Sequence, residues 1–267
     1  MALLQATGIS KRFGGITALS ELSLGVEAGE AVGLVGPNGA GKTTLFNCLL
    51  GILRPDTGTV TFAGEDLNPV VFDLPRLHLR AQRPRPVYRR ARLGIGRTFQ
   101  RIELFTEMTT RDHLLVAERA RRGNGALWKD LLNRGAPTAD EQARADAVLN
   151  LLGIEDVADL PVEALSLGHA RLVELGRALI TEPRLLLLDE PSSGLDRMES
   201  LALARVLSRV QQERGTAVIL VEHDLEMVQR VVTRLCVLDL GQLIADGPTG
   251  TVMGDANVRR AYLGEAV

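Results

Sequence analysis

Short runs of alternating apolar and polar residues, each bounded by turn residues, occupy the first sixty positions of the chain. They lie at residues 3–9, 22–26 and 58–62, and they predict a small antiparallel sheet. Two more strand-like runs, at 235–239 and 242–245, are predicted near the end of the chain.

Three other runs are apolar at nearly every position, which is typical of strands buried on both faces. They are residues 31–35, 184–190 and 217–221. An amphipathic helical pattern at 201–213 lies between the last two. Because strand, helix and strand alternate, the pattern predicts a parallel sheet and an α/β fold.

The middle of the chain is helical in pattern, with runs at 112–117 and 139–149. We predict one domain over residues 1–267. Its core comprises 1–103 and 166–267, and a helical subdomain occupies 104–165.

A glycine-rich turn follows the first buried run and precedes a helical run at 44–50. The turn and the residue after it read Gly36, Pro37, Asn38, Gly39, Ala40, Gly41, Lys42, Thr43 and Thr44. In this setting the turn predicts a phosphate-binding loop, whose N–H groups and helix start attract an anion. Lys42 would bridge the outer phosphates, and the Thr43 hydroxyl would bind Mg²⁺. A plain glycine turn is the alternative, and the flanking strand and helix argue against it.

Two carboxylates end the second buried run, and a histidine follows the third. We expect Asp189 to hold Mg²⁺ directly or through water, and Glu190 to orient or deprotonate an attacking water. His223 could reach a terminal phosphate. Each residue alone has an ordinary structural explanation, and it is their order after a phosphate loop that indicates catalysis.

Composition restricts the remaining possibilities. The chain is 45% hydrophobic and 24% charged with a net charge of -2, which is typical of a soluble globular protein and argues against a chain that is basic overall. Cys48 and Cys236 lack the spacing of metal ligands, so we expect both to be buried in a protein from a reducing compartment. No signal peptide and no run of about 18 apolar residues is visible, which predicts a cytoplasmic protein that reaches any membrane through partners.

Residues 66–96 form a basic, proline-interrupted stretch. Its arginines are Arg76, Arg80, Arg83, Arg85, Arg89, Arg90 and Arg92. The stretch could be a solvated loop and helix, or it could contact anionic lipid or nucleic acid. If it contacts a membrane, replacing Arg83, Arg85, Arg89 and Arg90 with Ser should weaken membrane association.

In their order along the chain, six motifs resemble those of the ATPase subunits of ABC transporters, and the resemblance covers essentially the whole chain. They are the phosphate loop at 36–43, the Q-loop at Phe99 and Gln100, the signature at 165–169, Walker B at 185–190, the D-loop at 193–196 and the switch histidine His223. The resemblance implies a P-loop NTPase with a RecA-like parallel-sheet core, a flanking antiparallel β-subdomain and a helical subdomain.

The resemblance also implies ATP and Mg²⁺ as cofactors and assigns roles to residues. Phe13 would stack on adenine, and Gln100 would link Mg²⁺ and the attacking water to a membrane partner. Together with Lys42, Glu190 and His223, Gln100 would form the catalytic set.

Two such domains would hold two ATP molecules between them, head to tail. Ser166 and Gly168 would then act on nucleotide bound by the opposite subunit, and a monomer would be nearly inactive. Asp196 of the D-loop is also expected to bind nucleotide. The signature departs from the usual Leu-Ser-Gly-Gly-Gln, because Leu167 and His169 replace the first Gly and the Gln. We expect altered packing near the site and retained catalysis.

Residues 94–105 and 258–265 resemble the ATPases of branched-chain amino-acid importers. The implied partners are transmembrane permeases, a second ATPase subunit and a solute-binding protein, at the cytoplasmic face of the inner membrane. The alternatives are the ATPase of a lipid or lipopolysaccharide exporter and a soluble ABC protein acting on nucleic acid or the ribosome. The soluble class usually has tandem domains or a long coiled coil, so no nucleic acid is expected. A regulatory nucleotide-binding module without turnover is disfavoured by Glu190.

Overall fold

Two sheets organise the molecule. The structure, a computed structural model, describes residues 2–68, 87–98, 103–122, 136–256 and 258. Within these residues the smaller sheet is antiparallel, with strand order β2-β1-β4-β5. Its strands are β1 (Leu4–Phe13), β2 (Ile16–Val26), β4 (Thr57–Phe62) and β5 (Glu65–Asp66).

The hairpin of β1 and β2 is longer than its sequence pattern predicts. The register between the two strands shifts at three places between Ala6 and Arg12. Each shift interrupts the alternation of inward and outward side chains, so the pattern identified only parts of both strands.

The larger sheet has the order β10-β9-β3-β8-β7-β6. Its strands are β3 (Ala31–Val35), β6 (Ile95–Arg97), β7 (Leu185–Asp189), β8 (Ala217–Val221), β9 (Arg234–Asp239) and β10 (Gln242–Pro248). Neighbours from β9 to β6 run parallel, and β10 pairs antiparallel with β9 at one edge. The parallel sheet and the α/β class are therefore confirmed.

Eight α-helices surround the sheets in the described part of the chain. They are α1 (Lys42–Leu50), α2 (Val87–Arg92), α3 (Thr110–Arg122), α4 (Ala139–Leu152), α5 (Leu167–Leu179), α6 (Arg197–Arg214), α7 (Leu225–Val231) and α8 (Thr249–Gly254). None of the helices described is long and apolar enough to cross a membrane.

Strand β7 separates two hydrophobic cores. Leu186 and Leu188 belong to the core that includes residues of α3 to α7, whereas Leu185 and Leu187 belong to the core shared with α1 and the antiparallel sheet. Because successive side chains of a strand point to opposite faces, burial on both faces requires an apolar residue at every position. Cys48 and Cys236 are both fully buried, as expected.

Arg90 corrects the interpretation of the basic stretch. It is 1% exposed and donates hydrogen bonds to the carbonyls of Cys48, Leu49 and Leu67 and to Asn68 Oδ1. Two of these carbonyls end α1, where helical C=O groups lack partners within the helix. The suggested contact with lipid or nucleic acid is therefore wrong for Arg90. Arg89 and Arg92 are exposed, and Arg76, Arg80, Arg83 and Arg85 lie outside the described residues.

Candidate functional site

The phosphate loop connects β3 to α1 and is shaped by close backbone contacts. At Gly36 (φ +153°) a Cβ would lie 2.1 Å from the carbonyl oxygen of Leu238, and at Gly41 (φ +104°) it would lie 2.5 Å from that of Ala18. A side chain at either position would displace the backbone. Helix α1 begins at Lys42 with no acidic residue in its first turn and no side-chain cap, so its first N–H groups are available to an anion.

Lys42 is folded back over this loop. Its Nζ donates to the carbonyls of Gly36 and Pro37, at 2.6 and 3.0 Å. Burial lowers the pKa of Lys42, and the nearby carboxylates of Glu190 and Asp189 partly oppose that shift. A buried ammonium group next to backbone N–H groups favours the binding of phosphate oxygens.

Asp189 lies at the carboxyl end of β7, as predicted. It is buried, and burial raises the pKa of its carboxyl group, whereas Arg97 acts in the opposite direction. The Nη2 of Arg97 lies 3.5 Å from Asp189 Oδ2.

Glu190 and His223 form a pair beside Asp189. His223 Nε2 and Glu190 Oε1 are 3.0 Å apart, and both side chains are partly exposed. Glu190 has a left-handed backbone (φ +49°), and its N–H donates to the carbonyl of Val221 at 2.8 Å. Such a conformation is unusual for a non-glycine residue and is found often at functional sites.

Phe13 lies at the end of β1, opposite Ile16 in the hairpin. It is 47% exposed, and Lys11 Nζ lies 5.6 Å from its ring centroid. The second strand of the same hairpin places the Ala18 carbonyl against Gly41 of the phosphate loop. An exposed aromatic ring on a hairpin that touches this loop could stack on a base.

The signature lies at the start of α5 and contacts the D-loop and α6. Ser166 caps α5 by accepting a hydrogen bond from the His169 N–H, and its Oγ is 3.0 Å from His169 Nδ1. A Cβ at Gly168 would lie 2.9 Å from Glu199 Oε1 of α6, and one at Gly194 would lie 3.0 Å from Leu167 Cδ2. Of the two residues that differ from the usual signature, His169 therefore contacts Ser166 and Leu167 contacts the D-loop.

Asp196 has a clear structural role. It caps α6 by accepting from the Glu199 N–H at 2.8 Å, and Glu199 Oε2 accepts from the Asp196 N–H at 3.1 Å. This reciprocal pair is a capping box. Phe99 and Gln100 lie outside the described residues.

Comparison with known proteins identifies the family. The model of the ABC transporter family matches residues 19–193. The high-affinity branched-chain amino acid transport ATP-binding protein LivG of Salmonella typhimurium is 37% identical over 99% of this chain and 98% of its own length. The chain belongs to the ABC transporter family. It is an ATP-binding subunit, and the fold described above is that of an ABC ATPase.

Two further similarities extend this result. The lipopolysaccharide export system ATP-binding protein LptB of Haemophilus influenzae is 32% identical over 99% of this chain and 98% of its own length. The structure of the ADP conformation of MJ1267, an ATP-binding cassette of an ABC transporter, has a TM-score of 0.80 and 29% identity, and the match covers 99% of this chain and 100% of that one.

The oxygen donors of this ABC ATPase suit a magnesium ion. Asp189 ends β7, which is separated by one strand, β8, from the strand that leads into the phosphate loop, and Thr43 is exposed at the start of α1. A carboxylate and a hydroxyl are hard donors, and Mg²⁺ is commonly held by one or two protein oxygens together with substrate phosphates and water. The residues present therefore fit the ion.

Two residues of the site were not singled out from the sequence. Arg97 contacts Asp189, and Glu222, only 2% exposed, accepts hydrogen bonds from the N–H groups of Ser192 and His223 at 2.7 and 3.0 Å. Both lie at or just beyond the carboxyl end of a parallel strand. Polar residues at that edge tend to converge on one site, and this rule could have found them.

Proposed function

We propose that this chain is the ATP-hydrolysing subunit of an ABC importer for branched-chain amino acids or related small amino acids and amides. The Glu190–His223 pair beside Lys42 and Asp189 is the observation that carries the hydrolytic part of the proposal. The similarity to LivG along nearly the whole length of both chains supports the solute class.

In this proposal the phosphate loop and Lys42 bind the phosphates of ATP, and Phe13 stacks on the adenine. Thr43, Asp189 and Gln100 hold Mg²⁺, which neutralises phosphate charge when bound. Glu190 orients the attacking water and accepts its proton at a carboxylate oxygen, while His223 positions that carboxylate from 3.0 Å.

We further propose that two ATPase subunits assemble head to tail. Ser166 and Leu167 are exposed at the start of α5, where a helix N-terminus can meet the γ-phosphate held by a partner. Gly168 and Asp196 would contribute to the same composite site. In this arrangement the helical subdomain at 104–165 faces the permeases, the subunit lies on the cytoplasmic face of the inner membrane, and a solute-binding protein completes the system without nucleic acid.

Lipid or lipopolysaccharide export is the second candidate. The similarity to LptB supports it, because that similarity has nearly the same coverage as the similarity to LivG. Since both classes use the same ATPase chemistry, the identity of the permease distinguishes them.

Copurification from the native host tests both candidates. A tagged Glu190→Gln form, which should retain ATP, is extracted gently from membranes with Mg-ATP, and its partners are identified by mass spectrometry. Two multi-span permeases and a second ATPase, with a solute-binding protein for amino acids, would support the importer. Permeases of a lipid exporter would favour the second candidate, and ribosomes or nucleic acid without a permease would overturn transport. A tagged, unrelated soluble protein taken through the same extraction serves as the control.

A further inference from the structure

A buried ion pair lies on α5, away from the Glu190–His223 pair. Arg171 and Glu174 are 8% and 6% exposed, and Arg171 Nη1 lies 3.2 Å from Glu174 Oε2. A buried ion pair often contributes no more to stability than a well-packed apolar pair of similar volume. The stability of α5 alone therefore gives little reason for charged residues at these two positions.

Each member of the pair also holds a backbone group of a different loop. Arg171 Nη2 donates to the carbonyl of Ser193 in the D-loop, at 3.1 Å. Glu174 Oε1 accepts from the N–H of Glu103, at 3.2 Å, and Arg177 of the same helix donates to the carbonyl of Glu103, at 2.7 Å. Glu103 comes three residues after Gln100. Helix α5 therefore holds the backbone of Glu103, shortly after the Q-loop, by two hydrogen bonds.

The hydrogen bonds continue toward the switch histidine on the D-loop side. Glu222 accepts from Ser192, the residue before Ser193, and from the backbone N–H of His223. Three buried charged side chains, Glu222, Arg171 and Glu174, therefore connect the backbone of His223 to that of Glu103.

We propose that Arg171 and Glu174 are positioning residues that tie the D-loop to the segment after Gln100. Because of this link, the D-loop and that segment move together when nucleotide binds. The physical reason is directional bonding: movement of one loop alone would break a hydrogen bond to a buried charge, which is costly. The inference rests on the proposed function, because it assumes that ATP binds at the phosphate loop.

Hydrogen exchange followed by mass spectrometry tests this link in the full-length chain. All variants carry Glu190→Gln and are measured with and without Mg-ATP. We expect Mg-ATP to slow exchange at residues 103–109 by about 5-fold or more. Glu174→Gln keeps the shape of the side chain but removes its charge, and it should reduce this response to about 2-fold or less while ATP affinity is retained. Glu213→Gln, the same change at an exposed glutamate of α6, should leave the response intact.

A second variant separates positioning from folding. Arg171→Lys preserves the charge, but its single ammonium lacks the fork that reaches both Glu174 and Ser193, so the response at 103–109 should again be lost in a folded protein. Arg171→Lys combined with Glu174→Gln should be no worse than either change alone, because both interrupt the same connection.

Three results would overturn the inference. One is a full response at 103–109 in folded Glu174→Gln and Arg171→Lys, and another is additive losses in the double variant. The third is the absence of any response at 103–109 in the parent Glu190→Gln form. If that parent still shows protection at residues 36–45, ATP binding stands and only the link fails. If protection is absent there as well, the proposed nucleotide site fails with it.

Discussion

The phosphate loop and the signature both lead into the start of a helix, where protein helices commonly attract anions, but the surroundings of the two helix starts differ. At the phosphate loop, Gly36 and Gly41 lie close to backbone carbonyls of other strands, and Lys42 is buried. Asp189 and Glu190, at the end of β7, are near enough for their charges to act on Lys42. At the signature, Ser166 and Leu167 are exposed, and the neighbours of Gly168 and Leu167 belong to α6 and the D-loop. The first region holds its chemical groups within one chain, whereas the second has an open face that a partner could complete.

Lys42→Ala and Ser166→Ala test this difference with the largest expected effects. We expect each to reduce ATP hydrolysis by about 10²- to 10³-fold, since in the proposed dimer each removes a group that contacts phosphate. Their effects on binding should differ. Lys42→Ala should abolish ATP binding to the dilute monomer, whereas Ser166→Ala should leave it unchanged and abolish only ATP-dependent dimerisation.

Equilibrium binding of a fluorescent ATP analogue and light scattering measure these two quantities. Ser208→Ala, at a partly buried position on the far part of α6, provides a matched control for the loss of a hydroxyl. The comparison fails if Ser166→Ala weakens binding to the monomer as much as Lys42→Ala does, because the signature would then act within its own chain.

Much of the first region could be predicted from the sequence, and much of the second could not. Residues 36–43 are recognisable because their residue types and their spacing impose the loop locally. Other contacts join residues that are far apart in the chain, and no local sequence pattern predicts them. Examples are the contacts of Arg90 with Cys48 and of Glu174 with Glu103. The sequence identified the signature by resemblance, but the burial of charges behind it depends on how α5 packs.

Gly36→Ala should be the most damaging change within the phosphate loop. Its Cβ would lie 2.1 Å from the Leu238 carbonyl oxygen, so the loop must shift, and we expect loss of ATP binding with a fall of about 3 kcal/mol in the free energy of unfolding. Gly39→Ala is the matched control. It also has a positive φ, but nothing lies within 4 Å of its added Cβ, so only about 1 kcal/mol of backbone strain is expected.

Urea denaturation and ATP binding measure the two alanine variants side by side. Equal losses in both would show that backbone conformation, and not the contact with Leu238, determines the shape of the loop.

Arg90→Met tests whether the far end of α1 supports the same region. The change removes donors from the carbonyls of Cys48, Leu49 and Leu67, and we expect it to lower the free energy of unfolding by about 2–3 kcal/mol. Arg89→Met, the same change at the exposed neighbouring residue, should alter it by less than about 0.5 kcal/mol. Chemical denaturation followed by circular dichroism gives both values. If Arg90→Met and Arg89→Met have similar free energies of unfolding, the hydrogen bonds of Arg90 make no net contribution to stability.

The smallest expected effect concerns the β9–β10 hairpin, which lies against the phosphate loop through the N–H of Gly241 and the carbonyl of Ala40. Arg234 donates to both carboxylate oxygens of Asp246, at 2.6 Å each, and thereby lowers the pKa of Asp246 from its ordinary value of 3.8. Because the pKa is lower in the folded state, this pair stabilises the fold above pH 3.8 and the contribution is lost as the pH falls through the folded value.

Asp246→Asn should therefore lower the urea concentration at the unfolding midpoint at pH 6. The difference between the midpoints of this variant and of the native chain should become smaller as the pH approaches 3. The pair is partly exposed, so we expect a change of no more than about 1 kcal/mol. Asp156→Asn, at an exposed carboxylate in the helical region, controls for the general effect of losing a negative charge. A difference between Asp246→Asn and the native chain that stays constant with pH would show that packing, and not the charge pair, holds this hairpin against the phosphate loop. In that case backbone packing, without a charge pair, would hold the β9–β10 hairpin against the phosphate loop. This would agree with the close backbone contacts at Gly36 and Gly41.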